Sequence, residues 1–479
     1  MMKVLGNLIG DKISQSQSIH DVISPVTGMV IDQVCLASKE DITNALSLLP
    51  ERPRTLLADE VLQFLDRLKE QLRMQKDLFY EKTCLETGFI ARDSMEIVDS
   101  AIEFLNDFDI YVHDKSSRGY TVRHSYSSSS GREIRITDRP YRYIAAVVPQ
   151  NASLTLGITI IASALYSGTG VILRPSLQCA STGACLAELI MKSQPPEWSV
   201  MIINSLANDF IESCCNSENV DLIHYIGSNK YAMSVFTKTF NSVKQCLLDG
   251  NGNGFLYLDD TFPFEEGVKI ITSAATRFNG ETCTSVNGVM IKESVYSAVR
   301  DALVDSFRKL RVGHPLDSDI DIGPLFSAEH AMSLQKTIVE SNGRILCGGY
   351  SGGAYFSPAI IEGVGLSDRL VQEGLFGPAL WISKVNESSV LEWLRGNRFP
   401  LSDTILSNNR ELIQSFAGNS RAARICVNED PSVESMFEPW GGYPPSGLNP
   451  VSLWTEKYRQ PYQLDGKLKE IWKVTSGVR

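Results

Sequence analysis

Between residues 143 and 173 apolar positions run with little polar relief, and the breaks within that run decide what it can become. Pro149, Gln150, Asn151, Ser153 and Thr155 interrupt it early, and Gly168 and Gly170 punctuate it late. The unbroken part after Leu154 falls short of the ~20 residues that a membrane-spanning helix needs. The same residues fit a buried parallel strand over 144–148, a buried helix over 155–166 and a second strand over 170–173. The alternation continues with helical character over 186–192, strands over 200–204 and 222–225, and a helix over 230–240. Such a pattern predicts a doubly wound α/β domain around a parallel sheet.

Upstream, Leu62, Leu65, Leu68 and Leu72 recur at spacings of three and four within residues 54–108, which predicts two or three packed helices. Residues 119–139 alternate polar and apolar positions around a Ser-rich turn. A two-stranded hairpin projecting from the body and a plain linker both fit that stretch. The second half returns to α/β character, with helices over 264–275, 295–310 and 331–341, a strand over 285–291, and Gly-rich loops at 348–353 and 441–447. The tail over 451–464, carrying Trp454, Tyr458 and Tyr462, reads as a strand able to pair with a neighbouring chain.

Composition narrows the function classes. A chain of 479 residues, 43% hydrophobic, can bury enough core for two or three domains of ~100–200 residues each. Its 45 Lys and Arg stand against 56 Asp and Glu, for a net charge of −11, and no basic block is interleaved with aromatics, so nucleic acid is not an expected partner. Ten scattered cysteines are too sparse for a disulfide scaffold. The first residues, MMKVLGNLIGDKISQ, lack a charged segment followed by a long apolar core, which points to a cytoplasmic protein with no membrane segment. Six histidines stand singly, away from Cys or carboxylate at ligand spacing, so no metal is expected. The adjacent Cys214 and Cys215 read as buried residues. The Gly250, Gly252, Gly254 run departs from the G-x-G-x-x-G order of a nucleotide loop.

Cys283, in FNGETCTSVNGV, is the most informative residue of the chain. An ionised thiol is the strongest ordinary side-chain nucleophile, and a turn entering a helix or strand offers backbone N–H groups that favour the thiolate. A small buried hydrophobe is the plain alternative for any single cysteine.

Eight segments taken in order carry a resemblance: SPVTGMVI (24–31), VVPQNASL (147–154), GTGVILRPS (168–176), IGSNKY (226–231), LDGNG (248–252), FNGETC (278–283), EGLFGP (373–378) and EPWGGYPPSG (438–447). Together they resemble the aldehyde dehydrogenase superfamily over nearly the whole chain, as a divergent member. The resemblance implies an α/β protein in which a Rossmann-type cofactor domain and an α/β catalytic domain face each other across a tunnel, with a small β oligomerisation arm. It divides the chain into cofactor-binding parts at 1–118 and 141–247, an oligomerisation hairpin at 119–140, a catalytic domain at 248–448 and an oligomerisation tail at 449–479. A homodimer or homotetramer follows from the arm.

What the resemblance implies chemically can be written residue by residue. Cys283 attacks an aldehyde carbon, and the Asn151 side-chain amide and the Cys283 backbone N–H receive the oxyanion; capping of the following helix is the structural alternative for Asn151. A hydride then leaves for NAD or NADP, and a thioester remains on the enzyme. Asp249 stands where the family commonly has the Glu of a Glu-Leu-Gly-Gly run and would act as deacylation base. A one-residue slip puts Leu248 there and removes the base, and an exposed turn aspartate is a further alternative. Cofactor contacts fall on Pro149, Gln150, Arg174, Ser176, Gly227, Ser228, Gly250, Glu373 and Phe376. Leu177 replaces a carboxylate that often holds ribose hydroxyls, which admits a 2′-phosphate. Gln150 replaces a Trp, and Gly374 replaces the Glu that holds the nicotinamide ribose. Three readings stay open: oxidation of a small-molecule aldehyde to its acid; an acylating route in which coenzyme A or a carrier-protein thiol takes up or supplies the acyl group; and a non-catalytic member whose cofactor site has decayed.

Overall fold

Tyr143–Val147 and Gly170–Arg174 are buried at every position, as strands covered by helices on both faces must be. The structure, a computed structural model, describes residues 3–51, 56–113, 124–127 and 132–466. These two strands sit inside a nine-stranded sheet whose spatial order is Trp440–Gly442, Gly447–Ser452, Gln245–Asp249, Val220–Ile226, Tyr143–Val147, Gly170–Arg174, Val200–Ile202, Asn7–Ile9 and Lys12–Ser14. The five central strands are parallel. The outer pairs run antiparallel. Chain order reverses between Tyr143–Val147 and Val220–Ile226, the switch point at which ligands bind in open α/β sheets.

Ser153–Ser167 is the central helix of one face and is buried along almost its whole length, ending where Gly168 adopts φ 90°. Against it pack Ala58–Met74 and Ala91–Asn106, with Lys76–Thr87 packed on Ala91–Asn106, so this stretch supplies three long helices, followed by the short Phe108–His113. Phe64, Leu68, Val98, Ala101 and Ile158 share one core. No helix among the described residues is long and apolar enough to cross a membrane.

A second sheet has seven strands in the order Arg344–Cys347, Ala359–Glu362, Ala379–Val385, Val286–Lys292, Gly254–Leu258, Ser402–Leu406 and Arg424–Val427. All but the first pair are parallel. The division between the sheets differs from the expected border at residue 248. Gln245–Asp249 completes the first sheet, and Leu248 and Asp249 pair with Leu448 and Gly447, which brings 440–452 back to it as well. Pairing across that distance has no local sequence mark.

In the arm, Glu133–Pro140 pairs with His124–Ser127 on one side and with Arg459–Gly466 on the other, register running Arg459 against Pro140 to Gly466 against Glu133. The hairpin is therefore a pair of strands, although residues 119–123 and 128–131 lie outside the described residues. The tail departs from a continuous strand. Trp454–Lys457 is a short helix, and Trp454 and Tyr458 are buried in the first sheet's own core instead of facing a neighbour.

Candidate active site

The carboxyl ends of four adjacent parallel strands deliver residues 149–151, 174–177, 227–228 and 249–250 to one edge of the first sheet. The second sheet meets that edge with the amino ends of its strands. Cys283 lies there, in the turn between Arg277–Gly280 and Val286–Lys292.

That turn is conformationally demanding. Phe278, Asn279 and Gly280 follow one another at φ 51°, 55° and 68°, in the left-handed region that non-glycine residues avoid. Surrounding structure holds them there, which is how strain persists at a functional site. The Phe278 N–H donates to Asp93 Oδ2 at 2.8 Å. Asn279 Nδ2 donates to the carbonyls of Gly88 and Pro324, and the Gly323 N–H returns a bond to Asn279 Oδ1. Glu281 is buried beneath the turn, where desolvation holds its carboxyl well above the usual range, and it accepts the Phe326 N–H.

Asn151 reaches across from the first sheet and donates its side-chain amide to the Glu281 carbonyl at 2.9 Å. The helix that follows, Ser153–Ser167, has no side-chain cap, so the capping alternative for Asn151 does not hold. Cys283 keeps partial exposure. Its thiol does not match the activated state expected from a turn: burial first, then the charges of Glu434 and Asp249, push it well above its ordinary value, with its own backbone N–H opposing. Burial thus disfavours the thiolate form of Cys283.

Beneath Cys283 the chain passes without side chains. A Cβ on Gly252 would stand 1.7 Å from the Cys283 carbonyl oxygen, and one on Gly374 would stand 2.2 Å from the Gly252 carbonyl oxygen. The absence of a glutamate at 374 is thus a matter of packing, because the backbone beneath the nucleophile leaves that direction no room.

Asp249 is not placed to serve as a base. It is 3% exposed, and its two oxygens accept His224 Nε2 at 2.7 Å, Trp440 Nε1 at 3.1 Å and Asn449 Nδ2 at 2.8 and 3.0 Å. His224 is bonded in turn to Tyr458, and Lys457 Nζ to Asn449 Oδ1. With its lone pairs occupied, this carboxylate ties the returning segment to the sheet. Leu248, the alternative of the one-residue slip, is buried in the sheet's opposite core.

The cofactor positions divide. Arg174 is withdrawn from the edge: buried, with Nε and Nη2 both donating to the Ser205 carbonyl, and desolvation lowers its pKa to about 10. Glu373 turns outward to Arg369 at 2.9 Å, a solvent-side pair rather than a ribose contact. Ser228 caps the helix Asn229–Asn241, its hydroxyl accepting the Lys230 N–H. Asn229 and Asn251 exchange backbone-to-side-chain bonds of 3.1 Å each way, which joins that helix start to the 250–253 loop. Ser176 caps its own short turn, and the Gln150 carbonyl accepts Cys179 Sγ. Phe376 sits at φ 48° with its carbonyl held by His330 Nε2 and its ring edge-on to Phe326. A switch-point crevice bounded by 149–151 and by a helix N-terminus at Ser228 suits a dinucleotide. The residues present fit that group, with ribose contacts that do not come from Arg174, Glu373 or Gly374.

Glu434 and Thr284 were not legible as site residues in the sequence. Thr284 follows Cys283 and lies near the Glu434 carboxylate, a proximity of distant segments that no local motif announces.

A doubly wound sheet whose switch point meets the 281–283 turn through Asn151 is the arrangement of a dinucleotide-using oxidoreductase. The sequence model of the aldehyde dehydrogenase family matches residues 12–463, and the chain belongs to that family, as an NAD(P)-dependent aldehyde oxidoreductase. The non-catalytic alternative falls away with this assignment. The chain is 25% identical over 443 residues to a lactaldehyde dehydrogenase of Methanococcus maripaludis, covering 89% of this chain and 92% of that one. It is 22% identical over 432 residues to a 3-sulfolactaldehyde dehydrogenase of Priestia megaterium, covering 89% and 90%. Its fold is similar, at TM-score 0.89 and 20% identity over 97% of this chain and 95% of the other, to the crystal structure of an NAD-dependent aldehyde dehydrogenase from Sinorhizobium meliloti.

Proposed function

We propose that the protein oxidises a short, polar aldehyde to its carboxylic acid through a thiohemiacetal and then a thioester on Cys283. The observation that carries this reading is the Asn151 amide, anchored 2.9 Å from the Glu281 carbonyl two residues before the sulfur, in the crevice at the switch point. An amide fixed there costs no reorganisation when an oxyanion forms beside Cys283, and one such donor contributes roughly 10²- to 10³-fold to rate. Pro149, Gln150, Gly227, Ser228, Gly250 and Phe376 would hold the dinucleotide, which supplies the hydride acceptor. The names of the relatives in Methanococcus and Priestia support a hydroxyaldehyde as substrate class. The two sheets serve as cofactor-side and thiol-side lobes, the border running through 250–253.

The experiment is reduction of NAD or NADP by purified protein with lactaldehyde, with the product analysed in the presence and absence of coenzyme A. Free acid in both cases is expected. A coenzyme A thioester as the sole product establishes the acylating route instead, a reading favoured by one observation, the full hydrogen-bond occupancy of Asp249. No nicotinamide reduction with any short aldehyde overturns both.

The same reading includes self-association. The arm sheet ends on His124–Ser127, and the helix Asn229–Asn241 exposes Met233 and Phe240, each at 70%. Apolar side chains grouped on one helix face mark an interaction surface. Light scattering is expected to report a dimer or tetramer, and Phe240→Glu to shift it toward monomer; a parent protein that is monomeric at micromolar concentration refutes the assignment.

A further inference from the structure

The nucleophile turn is overlain by residues 431–434, a segment fastened from two directions. Arg424 binds it with Nη1 to the Pro431 carbonyl at 2.7 Å and Nη2 to the Val433 carbonyl at 3.2 Å. Arg277, at the start of the nucleophile turn, donates to the carbonyl and hydroxyl of Ser432. Between these clamps Glu434 projects inward. Arg424 Nη1 meets Glu434 Oε1 at 3.0 Å, both side chains being 25% exposed, and Thr284 lies near enough to favour the charged form of the same carboxylate. Thr284 is the residue after Cys283 and is itself buried. A carboxylate paired with a cation therefore stands near the residue that follows the sulfur and acts on the Cys283 thiol, while Asp249 has every lone pair engaged elsewhere.

We infer that Glu434 is the general base of deacylation, accepting the proton of the water that attacks the Cys283 thioester. The inference rests on the thioester reading of Cys283. In the step, the water oxygen bonds the acyl carbon and one water proton passes to Glu434. The carbon–sulfur bond breaks with its electron pair on sulfur, and the proton on Glu434 then returns to the thiolate, so acid and free thiol leave with every atom accounted for. No oxidant takes part. The electrostatics agree with this role. Burial raises the Glu434 carboxyl above its ordinary value, Glu438 acts in the same direction, and Arg424, Thr284 and Arg277 oppose. A base with a raised pKa accepts a proton more readily near neutral pH. Of the charges acting on the Cys283 thiol, that of Glu434 is the largest.

Hydrolysis of p-nitrophenyl acetate tests the base without any dinucleotide, because ester attack acylates Cys283 directly. The parent protein is expected to release p-nitrophenolate in a burst and then turn over. Glu434→Gln should keep the burst, accumulate acetyl-enzyme visible by intact-mass spectrometry, and lower the steady-state rate on the order of 10²-fold or more. Glu434→Asp should recover part of that rate. Thr284→Val, which removes the hydroxyl that favours the charged Glu434 while retaining shape, should slow the steady state with the burst intact. Steady-state hydrolysis by Glu434→Gln at the parent rate overturns the inference. Should Glu434→Gln fold poorly by urea unfolding, Thr284→Val decides by the same criterion. A parent protein in which Cys283 stays unacetylated refutes the thioester reading itself, a result distinct from loss of deacylation alone.

Discussion

Cys283→Ala is expected to abolish aldehyde-dependent reduction of NAD or NADP, on the order of 10⁴-fold or more, while leaving the urea unfolding midpoint nearly unchanged. The magnitude follows from removing the group that forms the covalent bond, since its partners alone retain only a small residue of catalysis. The stability expectation follows from the side chain's size: deleting one partly exposed sulfur costs about 1 kcal/mol or less. Because burial and the charges of Glu434 and Asp249 hold the thiol above its ordinary value, alkylation of Cys283 by iodoacetamide in the free protein should still accelerate with pH at pH 9. A plateau reached below pH 8 would mean a thiolate already present at rest and would contradict that account. Retained turnover in Cys283→Ala would assign the nucleophile elsewhere.

Asp249→Ala is expected to lower stability by roughly 3–5 kcal/mol, the cost of leaving several buried donors without their acceptor. Asn449 Nδ2, Trp440 Nε1 and His224 Nε2 all lose their partner at once. Lys457 loses an opposing charge as well: burial already lowers its pKa to about 8, and Asp249 is the largest influence raising it. Without that carboxylate Lys457 goes further down and is partly neutral at physiological pH. Urea denaturation with matched slopes measures the loss. A midpoint equal to the parent's, together with slowed ester hydrolysis, would return Asp249 to a direct chemical role.

The parallel strands were legible because burial on both faces writes itself as an uninterrupted apolar run, as at Tyr143–Val147 and Gly170–Arg174. Cys283 and Asn151 stand out in the sequence because each lies in a short, locally marked segment, the first just after the left-handed residues 278–280 and the second at a strand end. What stayed hidden depends on partners far along the chain. Arg174 was taken for a cofactor contact, but its guanidinium binds a backbone carbonyl, Ser205, and carbonyls carry no side-chain signature. Asp249 reads in the sequence as a deacylation base, and the donors that occupy it arrive from Trp440 and Asn449. Glu434 gave no pattern at all, because its meaning comes from Arg424 and Thr284 converging in space. The border between sheets was misplaced for the same reason, since the pairing of Leu248 with Leu448 leaves no trace in either segment alone.

The return of 440–452 to the first sheet has a consequence for biosynthesis. Gln245–Asp249 leaves the ribosome long before the strand that covers its outer side, the bonded pair Asp249 and Asn449 being 200 positions apart. Until then a nascent chain carries an open strand edge and a carboxylate without its Trp440 and Asn449 donors, a liability for edge-to-edge pairing with other nascent chains. Closure over so long a separation is intrinsically slow. Completion of the first sheet is thus timed by the emergence of 440–452, and a ribosome stalled before that segment holds a fragment with an unfinished sheet.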